Sequence, residues 1–445
     1  MSDTNQSNIT PARPPQVIPD NLKGKRVVLV NHGDMLGGAA IVTFRLMKAL
    51  RARGIDARMV VFTKSSDDSD VSKLASRYER GLRFVAERLK MFLLHSVPYA
   101  KIFQVSTGDF ALDVTRHEWV RDADIVCLNW INQGLLGLDG IRRLHRKGKK
   151  IVWTLHDQWA FTGICHHPYE CDHFRDKCGS CMFVRGGGDP DDISRRMWER
   201  KKKLYEEVPV HFVTVSNWLE QRARSSSLLK TMPVMTIHNV FPIDTFYTTP
   251  PLRVEALATG SKPNVILFGA ARLDDPIKGL DMLIEACNII FDNHPDIAGK
   301  TAIILFGGMK NPEILDTLRM SHRWLGMIND FKILRYLYST AKAVVSTSFY
   351  ESLAGTLIEG QAAGALSVTF GGDGREDIVT HLKNGYIAEY RNPADIANGI
   401  LWALNADISR DELHQGIADR FGPDIITQKY IDLFSDILKD NSHNA

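Results

Sequence analysis

The sequence predicts an α/β protein in which two Rossmann-like domains face each other across a cleft. Short β-branched runs alternate with helical segments along the chain, and a stretch rich in proline, threonine and glycine interrupts the alternation near residues 242–263. The alternation then restarts. Strands that alternate with helices form parallel βαβ units, and one interruption divides them into two doubly wound halves. At 445 residues and 44% hydrophobic content, the chain can bury both cores.

The first half opens with a strand at residues 26–30, a glycine-rich loop at 31–40 and a helix at 41–53 that Gly54 ends. Its other predicted strands are 57–62, 125–128, 151–155 and 212–215. The second half has predicted strands at 265–268, 302–306, 343–346 and 366–369, and residues 425–438 form an amphipathic helix. We expect a disordered lead over residues 1–24, one domain over 25–245, a second over 263–422, and a helical segment over 423–445 that could pack back on the first domain.

Charge and hydropathy narrow the classes of function. Residues 1–245 contain 37 Lys and Arg against 27 Asp and Glu, whereas residues 246–445 contain 18 against 25. The excess of cations in the first half predicts contact with an anionic surface, either nucleic acid or anionic lipid. The alternative is a basic domain that meets no anionic surface. Aromatic residues are not interleaved with the basic runs, which disfavours nucleic acid. The lead is polar and no run of 18 apolar residues occurs, so we expect a cytoplasmic protein without a membrane span.

Three motifs carry polar groups that suit a phosphate-bearing ligand. Gly37 and Gly38 lie between a strand and a helix, where glycine lets a phosphate approach the helix N-terminus. Arg272 and Lys278 follow a strand of the second half and suit a diphosphate. Glu351 and Glu359 lie about 2.2 helical turns apart. Each motif is weak alone, since tight turns, solvated cations and helix-surface carboxylates are common.

Taken together, Arg272, Lys278, the Glu351–Glu359 spacing and the following Gln-Ala-Ala-Gly at 361–364 resemble the donor-binding signature of family 4 glycosyltransferases, which have the GT-B fold. The Gly-Gly-Ala at 37–39 and Thr-Leu-His-Asp at 154–157 are similar to the other half-site. The resemblance spans roughly residues 25–440. Residues 156–163 (HDQWAFTG), followed by clustered cysteines, resemble a bacterial exopolysaccharide and capsule branch of the colanic-acid type.

The resemblance implies a retaining enzyme that moves a hexosyl-type sugar from a UDP- or GDP-type donor to a glycan or lipid-linked acceptor. The first domain would lie on the acceptor side and the second would bind the donor. Arg272 and Lys278 would neutralise the diphosphate, so no catalytic metal is expected. Glu351 would contact the transferred sugar or nearby phosphate, and Glu359 the ribose. Gly37 and Gly38 would leave room for the diphosphate, and His156 would position the reacting sugar.

The sequence departs from the family pattern in ways that leave the donor sugar open. Leu-Ala-Gly at 353–355 stands where Phe-Gly is usual, and Gly-Gln-Ala-Ala at 360–363 replaces the commoner Ala-Met-Ala-Cys. A sugar-nucleotide epimerase with the same cleft is the rival enzyme, although its acid and base carboxylates are not obvious in the first half. A non-catalytic scaffold is the other alternative, which the intact donor motif disfavours.

Two further features lie outside the donor motif. Four cysteines at a spacing of Cys-x5-Cys-x6-Cys-x2-Cys predict a structural zinc site, with disulfides, free thiols or an iron–sulfur cluster as alternatives; they are Cys165, Cys171, Cys178 and Cys181. A helix after residue 73 has an apolar stripe opposite a basic face. It could lie on the anionic inner face of the plasma membrane, beside a lipid-linked acceptor, or pack its stripe into the core.

Overall fold

The computed structural model describes residues 17–247, 263–328 and 330–439, and it contains two parallel sheets with helices on both faces. The predicted linker therefore lies largely outside the described residues, as do residues 1–16 of the predicted disordered lead. Two parallel sheets covered by helices confirm the predicted fold class of two Rossmann-like domains.

The first sheet has the order β3-β2-β1-β4-β5-β6-β7. Its strands are β1 Arg26–Gly33, β2 Asp56–Thr63, β3 Val71–Lys73, β4 Ile125–Leu128, β5 Lys150–Leu155, β6 Val210–Thr214 and β7 Val234–Thr236. The helices that follow them are α1 Gly38–Ala52, α2 Arg77–Leu94, α3 Glu118–Arg121, α4 Leu138–Arg146, α5 Ile193–Glu207, α6 Asn217–Ser225 and α7 Ile243–Phe246.

The second sheet has the order β10-β9-β8-β11-β12-β13. Its strands are β8 Asn264–Arg272, β9 Thr301–Gly308, β10 His322–Trp324, β11 Ala343–Ser346, β12 Leu366–Phe370 and β13 Gly385–Ala388. Its helices are α8 Leu280–Asn293, α9 Pro295–Lys300, α10 Phe331–Thr340, α11 Gly355–Ala362, α12 Pro393–Asn405 and α13 Arg410–Phe421, and α14 Pro423–Lys439 ends the described chain.

The strand order reverses between β1 and β4 in the first sheet and between β8 and β11 in the second. Loops that leave the carboxyl ends of strands beside such a reversal form the usual ligand crevice of an open α/β sheet. Apolar side chains of the first domain, including Val42 and Phe241, join a core cluster of the second. The two crevices therefore open onto one interdomain cleft.

Helix α14 packs on the first domain, although it follows the second in sequence. Ile426, Tyr430 and Phe434 are buried with Leu29 of β1, and the Tyr430 hydroxyl lies 3.1 Å from Thr154 Oγ1. The same helix covers part of the predicted disordered lead, which instead forms a turn at Asp20–Leu22 with Leu22 buried. An apolar partner more than 400 residues away explains this order, which no pattern within the lead itself could indicate.

The orientation of helix α2 differs from the alternative in which its apolar stripe packs into the core. Its stripe faces solvent rather than the core: the exposed members are Tyr78, Leu82, Val85, Leu89 and Phe92. Its cations bind the body of the domain instead, because Arg80 donates to the Phe62 carbonyl and Arg88 to the Ile102 and Val105 carbonyls. One carbonyl of β2 and two of the loop after α2 thus hold the basic face inward. No helix within the described ranges is long and apolar enough to cross a membrane.

Candidate functional site

The first wall of the cleft is the glycine turn between β1 and α1. Gly37 caps the helix with φ of 91°, a conformation that glycine adopts without strain. A Cβ atom built on Gly37 or Gly38 meets no atom within 4 Å, so both backbones border open space. The unpaired N–H groups of the first turn of α1 therefore lie beside the cleft, where they can bind an anion.

The opposite wall carries an ion pair between Lys278 and Glu351, whose Nζ and Oε1 atoms lie 2.7 Å apart. Lys278 ends a short turn after β8, and Gly279 follows it with φ of 63°, packed so closely that a Cβ would lie 2.2 Å from the Thr347 carbonyl oxygen. Burial raises the pKa of Glu351, but Lys278, together with Arg375 and Ser348, more than offsets this, so the pKa lies below its ordinary value. Two predicted donor-binding side chains are therefore adjacent, charged and lining the cleft.

Glu359 also lines the cleft, on helix α11, and both its carboxylate oxygens are engaged. Oε1 accepts from Arg45 of α1 at 3.2 Å, and Oε2 accepts from the Tyr338 hydroxyl at 3.1 Å. Burial raises the pKa of Glu359, while Arg45 opposes the rise. Because Arg45 belongs to the first domain, this ion pair joins the two walls. Nothing in the spacing of the sequence indicated it.

Arg272, by contrast, is not among the residues that line the cleft. It ends β8 with an exposed side chain, and its Nε donates to Asp274 at 3.1 Å. Asp274 also accepts the backbone N–H of Lys310, which fixes its position. The side chain of Arg272 must therefore change its position if it is to contact a diphosphate in the cleft.

His156 and His167 border both the donor cleft and a smaller cavity beside it. His156 follows β5, and its Nε2 lies 3.1 Å from Asn129 Oδ1. His167, which sequence reasoning missed, comes from the cysteine-bearing loop and packs on the Tyr350 ring of the second domain at 4.4 Å. Burial lowers the pKa of each imidazole to about 4, so both are neutral near pH 7.

A buried pair that the sequence did not reveal holds Glu351 in place. Arg375 forks onto Asp373 with two contacts of 2.8 Å and also donates to the Ser348 carbonyl. Asp373 in turn accepts the Glu351 backbone N–H at 2.9 Å. A bidentate pair of this kind fixes geometry as well as charge. The only sequence signal was the glycine-rich run at residues 371–374 after a predicted strand.

The zinc site at the four clustered cysteines stays a prediction. Among the residues that the structure describes, no three His, Cys, Asp or Glu side chains are grouped as metal ligands would be, and the cysteines are free thiols. Cys165, Cys178 and Cys181 are packed in the apolar core, and Cys178 Sγ accepts the Gly163 N–H at 3.1 Å. Burial raises the pKa of Cys178 to about 12 and that of Cys181 to about 11. These side chains therefore pack as small apolar groups.

Two family models match the two domains separately. The model described as "Glycosyltransferase Family 4" matches residues 36–245, and the one described as "Glycosyl transferases group 1" matches residues 262–406. With the two-domain fold, these matches define the class: the chain belongs to the GT-B glycosyltransferases of the family 4 type, and it is a transferase.

Individual proteins resemble this chain at low sequence identity. An uncharacterized glycosyltransferase of Methanocaldococcus jannaschii is 27% identical over 277 residues, which are 60% of this chain and 67% of that protein. The D-inositol 3-phosphate glycosyltransferase of Jonesia denitrificans is 29% identical over 196 residues, 40% of this chain and 46% of that protein. The match thus spans less than half of the second relative. The crystal structure of Anabaena HepE in complex with UDP and glucose superposes with a TM-score of 0.60 at 15% identity, covering 93% of this chain and 100% of that one.

Proposed function

We propose that this glycosyltransferase moves a hexosyl-type sugar from a UDP- or GDP-sugar to a glycan or lipid-linked acceptor in polysaccharide biosynthesis, with retention of anomeric configuration. The observation that carries the proposal is the Lys278–Glu351 pair across the cleft from the open face of Gly38. A cation, a helix N-terminus and empty space between them fit a diphosphate. UDP bound to the structurally similar Anabaena protein agrees with this.

In the reaction the acceptor hydroxyl oxygen bonds to the anomeric carbon, while the bond from that carbon to the diphosphate oxygen breaks and the hydroxyl proton passes to the leaving phosphate. Lys278 stabilises the charge that develops on the diphosphate, and Arg272 joins it after leaving Asp274. Glu351 binds the transferred sugar, Glu359 the ribose, and neutral His156 donates or accepts a hydrogen bond at the sugar. Lys278 and Arg272 supply the positive charge, so the proposed reaction needs no catalytic metal.

Thermal unfolding in the presence of UDP, GDP and their glucose and mannose conjugates tests the donor assignment. A ligand at 100 times its dissociation constant stabilises the fold by about 2.7 kcal/mol. We expect one nucleotide series to raise the Tm of the wild type and of Lys332→Ala, an exposed lysine on α10, but not that of Lys278→Ala. Equal shifts in both variants would contradict the site. Anomeric proton NMR of the product then tests retention.

Analysis of the reaction products distinguishes the epimerase alternative, for which Asp157 of the first domain is a candidate acid or base. Asp157 lines the smaller cavity beside the donor cleft. Burial raises its pKa, but His166, His167 and the Trp159 backbone N–H together lower it by more, to about 2. A carboxyl group with so low a pKa is a poor proton donor near pH 7. We therefore expect release of free nucleotide diphosphate with transfer; an isomerised nucleotide sugar with no diphosphate released would favour the epimerase.

We further propose that α2 attaches the enzyme peripherally to the inner face of the plasma membrane. Its outward apolar stripe is joined by exposed Phe103 and Phe110. Exposed Lys73 and Arg185 flank it, with the Arg185 guanidinium 5.9 Å from the Phe92 ring. An apolar helix face edged by cations fits the headgroup boundary of an anionic membrane, which such helices enter by about 5–10 Å.

Vesicle sedimentation tests this attachment. Leu82→Ser and Leu89→Ser together should release the protein from phosphatidylglycerol-containing vesicles, whereas Ile333→Ser, on an exposed position of α10, should not. Reversing Arg80 and Arg83 is a poor probe because both donate to carbonyls of the domain. The proposal would be contradicted if the double variant sedimented with the vesicles as the wild type does, or if the wild type did not bind the vesicles.

A further inference from the structure

Arg45 is a cationic side chain that the first domain places in the donor cleft. It lies seven residues after Gly38, about two turns along α1, and it lines the cleft together with Val42. Val42 packs in the apolar core of the second domain, so this face of α1 lies against that domain. Arg45 is therefore placed to act on a ligand that the second domain holds, although its own helix belongs to the first.

Glu359, the carboxylate that we assign to the ribose, accepts one hydrogen bond on each oxygen. Oε1 accepts from Arg45 Nη2 at 3.2 Å, and Oε2 accepts from the Tyr338 hydroxyl at 3.1 Å. Each oxygen of a carboxylate can accept two hydrogen bonds, so each keeps one acceptor position when the described side chains are counted. One position on each of the two oxygens matches the two hydroxyl groups on neighbouring carbons of a ribose.

Both donors to Glu359 are held in place by their surroundings. The guanidinium carbon of Arg45 lies 5.5 Å from the centre of the Phe241 ring, a distance typical of a cation–π contact. That ring packs against the start of α11, where a Cβ built on Gly355 would lie 3.1 Å from it. Tyr338 is fully buried. The carboxylate is therefore fixed before a nucleotide enters, so that binding need not order it.

Arg45 also controls whether Glu359 is ionised. Only 15% of the Glu359 side chain is exposed, and burial raises its pKa, whereas the charge of Arg45 is the strongest influence against the rise. A protonated carboxyl group carries an O–H in place of one acceptor, and hydrogen bonds to an ionised group are roughly twice as strong as neutral ones. Loss of the guanidinium should therefore weaken the bonds that Glu359 accepts from a ribose.

We propose that Arg45 is a positioning residue for the nucleotide: it holds Glu359 as a carboxylate whose two oxygens each accept a ribose hydroxyl, so that the enzyme selects ribonucleotides over 2′-deoxyribonucleotides. The inference rests on the role proposed above for Glu359. It extends that role to the first domain, because the ribose site of the second domain is incomplete without Arg45.

Isothermal titration with UDP, GDP and their 2′-deoxy analogues tests the inference, since the ratio of two dissociation constants isolates the ribose. For the nucleotide that binds the wild type, the 2′-deoxy analogue should have a dissociation constant at least about tenfold higher, because it lacks one hydrogen bond to a charged group. A substitution that only loosened the fold would weaken both ligands together and leave this ratio unchanged.

Two substitutions separate the charge of Arg45 from its hydrogen bond. Arg45→Gln keeps an N–H donor without the charge, so the ratio should fall from about tenfold to about threefold, the effect of halving the strength of the lost bond. Arg45→Lys keeps the charge and should retain a ratio of at least about fivefold. Lys48→Gln is the matched control: Lys48 is exposed on α1, pairs with Asp68 of the first domain at 2.9 Å, and should leave the ratio at its wild-type value.

The outcomes distinguish this inference from the donor proposal. A wild-type ratio in Arg45→Gln overturns the inference while the donor proposal stands; if both ligands weaken equally there, Arg45 binds the phosphates instead. An equal fall of the ratio in Lys48→Gln also overturns it, since the charge of the helix rather than the ion pair would then be responsible. If a nucleotide binds the wild type without discrimination at the ribose, Glu359 does not bind the 2′-hydroxyl and the inference is wrong. If neither UDP nor GDP binds, the donor proposal fails and the inference falls with it.

Discussion

At the residue scale, Gly38 has no side chain, and this leaves room in the cleft for a diphosphate. Gly38 opens α1, and a Cβ there would point into empty space that borders both cavities. We therefore predict that Gly38→Ala preserves the fold and even favours the helix by up to about 1 kcal/mol. Its methyl group should obstruct the diphosphate, so that the dissociation constant for the nucleotide rises at least about tenfold.

Gly416→Ala is the matched control, because Gly416 is also helical, exposed and free of atoms within 4 Å of a built Cβ. Isothermal titration with the nucleotide identified by the Tm screen should give wild-type affinity for this variant. If Gly38→Ala binds the nucleotide with wild-type affinity, the diphosphate does not lie beside Gly38.

The neutral histidines predict how stability depends on pH. Burial lowers the pKa of His32, His156 and His167 from 6.5 in the unfolded chain to about 4 in the folded one. Between these values the unfolded chain binds more protons, so the free energy of unfolding falls as the pH falls from about 7 to 4. His167→Gln should flatten this dependence in urea titrations at several pH values. An unchanged slope would mean that His167 is not buried neutral.

Some of these residues could be found from sequence and others could not, for a physical reason. Lys278 and Glu351 stand in local motifs beside strand ends, where the topology alone brings them to one edge. Arg45, His167 and Arg375 make their contacts across domains or through a loop without regular spacing. Such contacts depend on how elements pack, which a local pattern does not encode.

At the element scale, α5 supports the cleft loop through one buried lysine. Lys201 is fully buried and donates to the carbonyls of Trp159, Thr162 and Gly163, which follow β5. Burial lowers its pKa to about 7. Lys201→Met leaves three buried carbonyls without a donor, and we expect it to lower the free energy of unfolding by about 2–5 kcal/mol in urea titrations.

Lys203→Met is the control on the same helix, since Lys203 is exposed and its ion pair with Glu207 is at 4.0 Å. We expect a change below about 0.5 kcal/mol there. Equal losses in the two variants would show that the helix, rather than the buried ammonium group, determines the effect.

Four-residue strands with a continuous apolar or β-branched run were predictable, and three-residue strands were not. The strands at 125–128 and 343–346 are found where the sequence placed them. The three-residue strands β3, β7 and β10 were missed because they are too short to show alternation. The periodicity of α2 predicted a helix with two faces, but which face points inward depended on the carbonyls that Arg80 and Arg88 satisfy.

At the scale of the whole molecule, chain order and structural order differ at α14. This helix follows the donor-side domain directly, yet Phe434 is fully buried against the first sheet and α1. The chain therefore crosses between the domains twice, once near Phe241 and once near Gly422. A change in α14 should act on the first domain, which the sequence order alone would not suggest.

We accordingly predict that Phe434→Ala lowers the free energy of unfolding of the first domain by about 3–5 kcal/mol, the usual cost of deleting a buried phenyl ring. Calorimetry with the bound nucleotide can assign the effect, because most of its proposed side-chain contacts (Lys278, Glu351 and Glu359) lie in the second domain, whose transition the ligand should raise more than that of the mutated domain. Phe291→Ala, an exposed ring on α8, should leave both transitions within about 0.5 kcal/mol of wild type. If Phe434→Ala instead lowers only the nucleotide-protected transition, α14 belongs energetically to the second domain, despite its packing against β1.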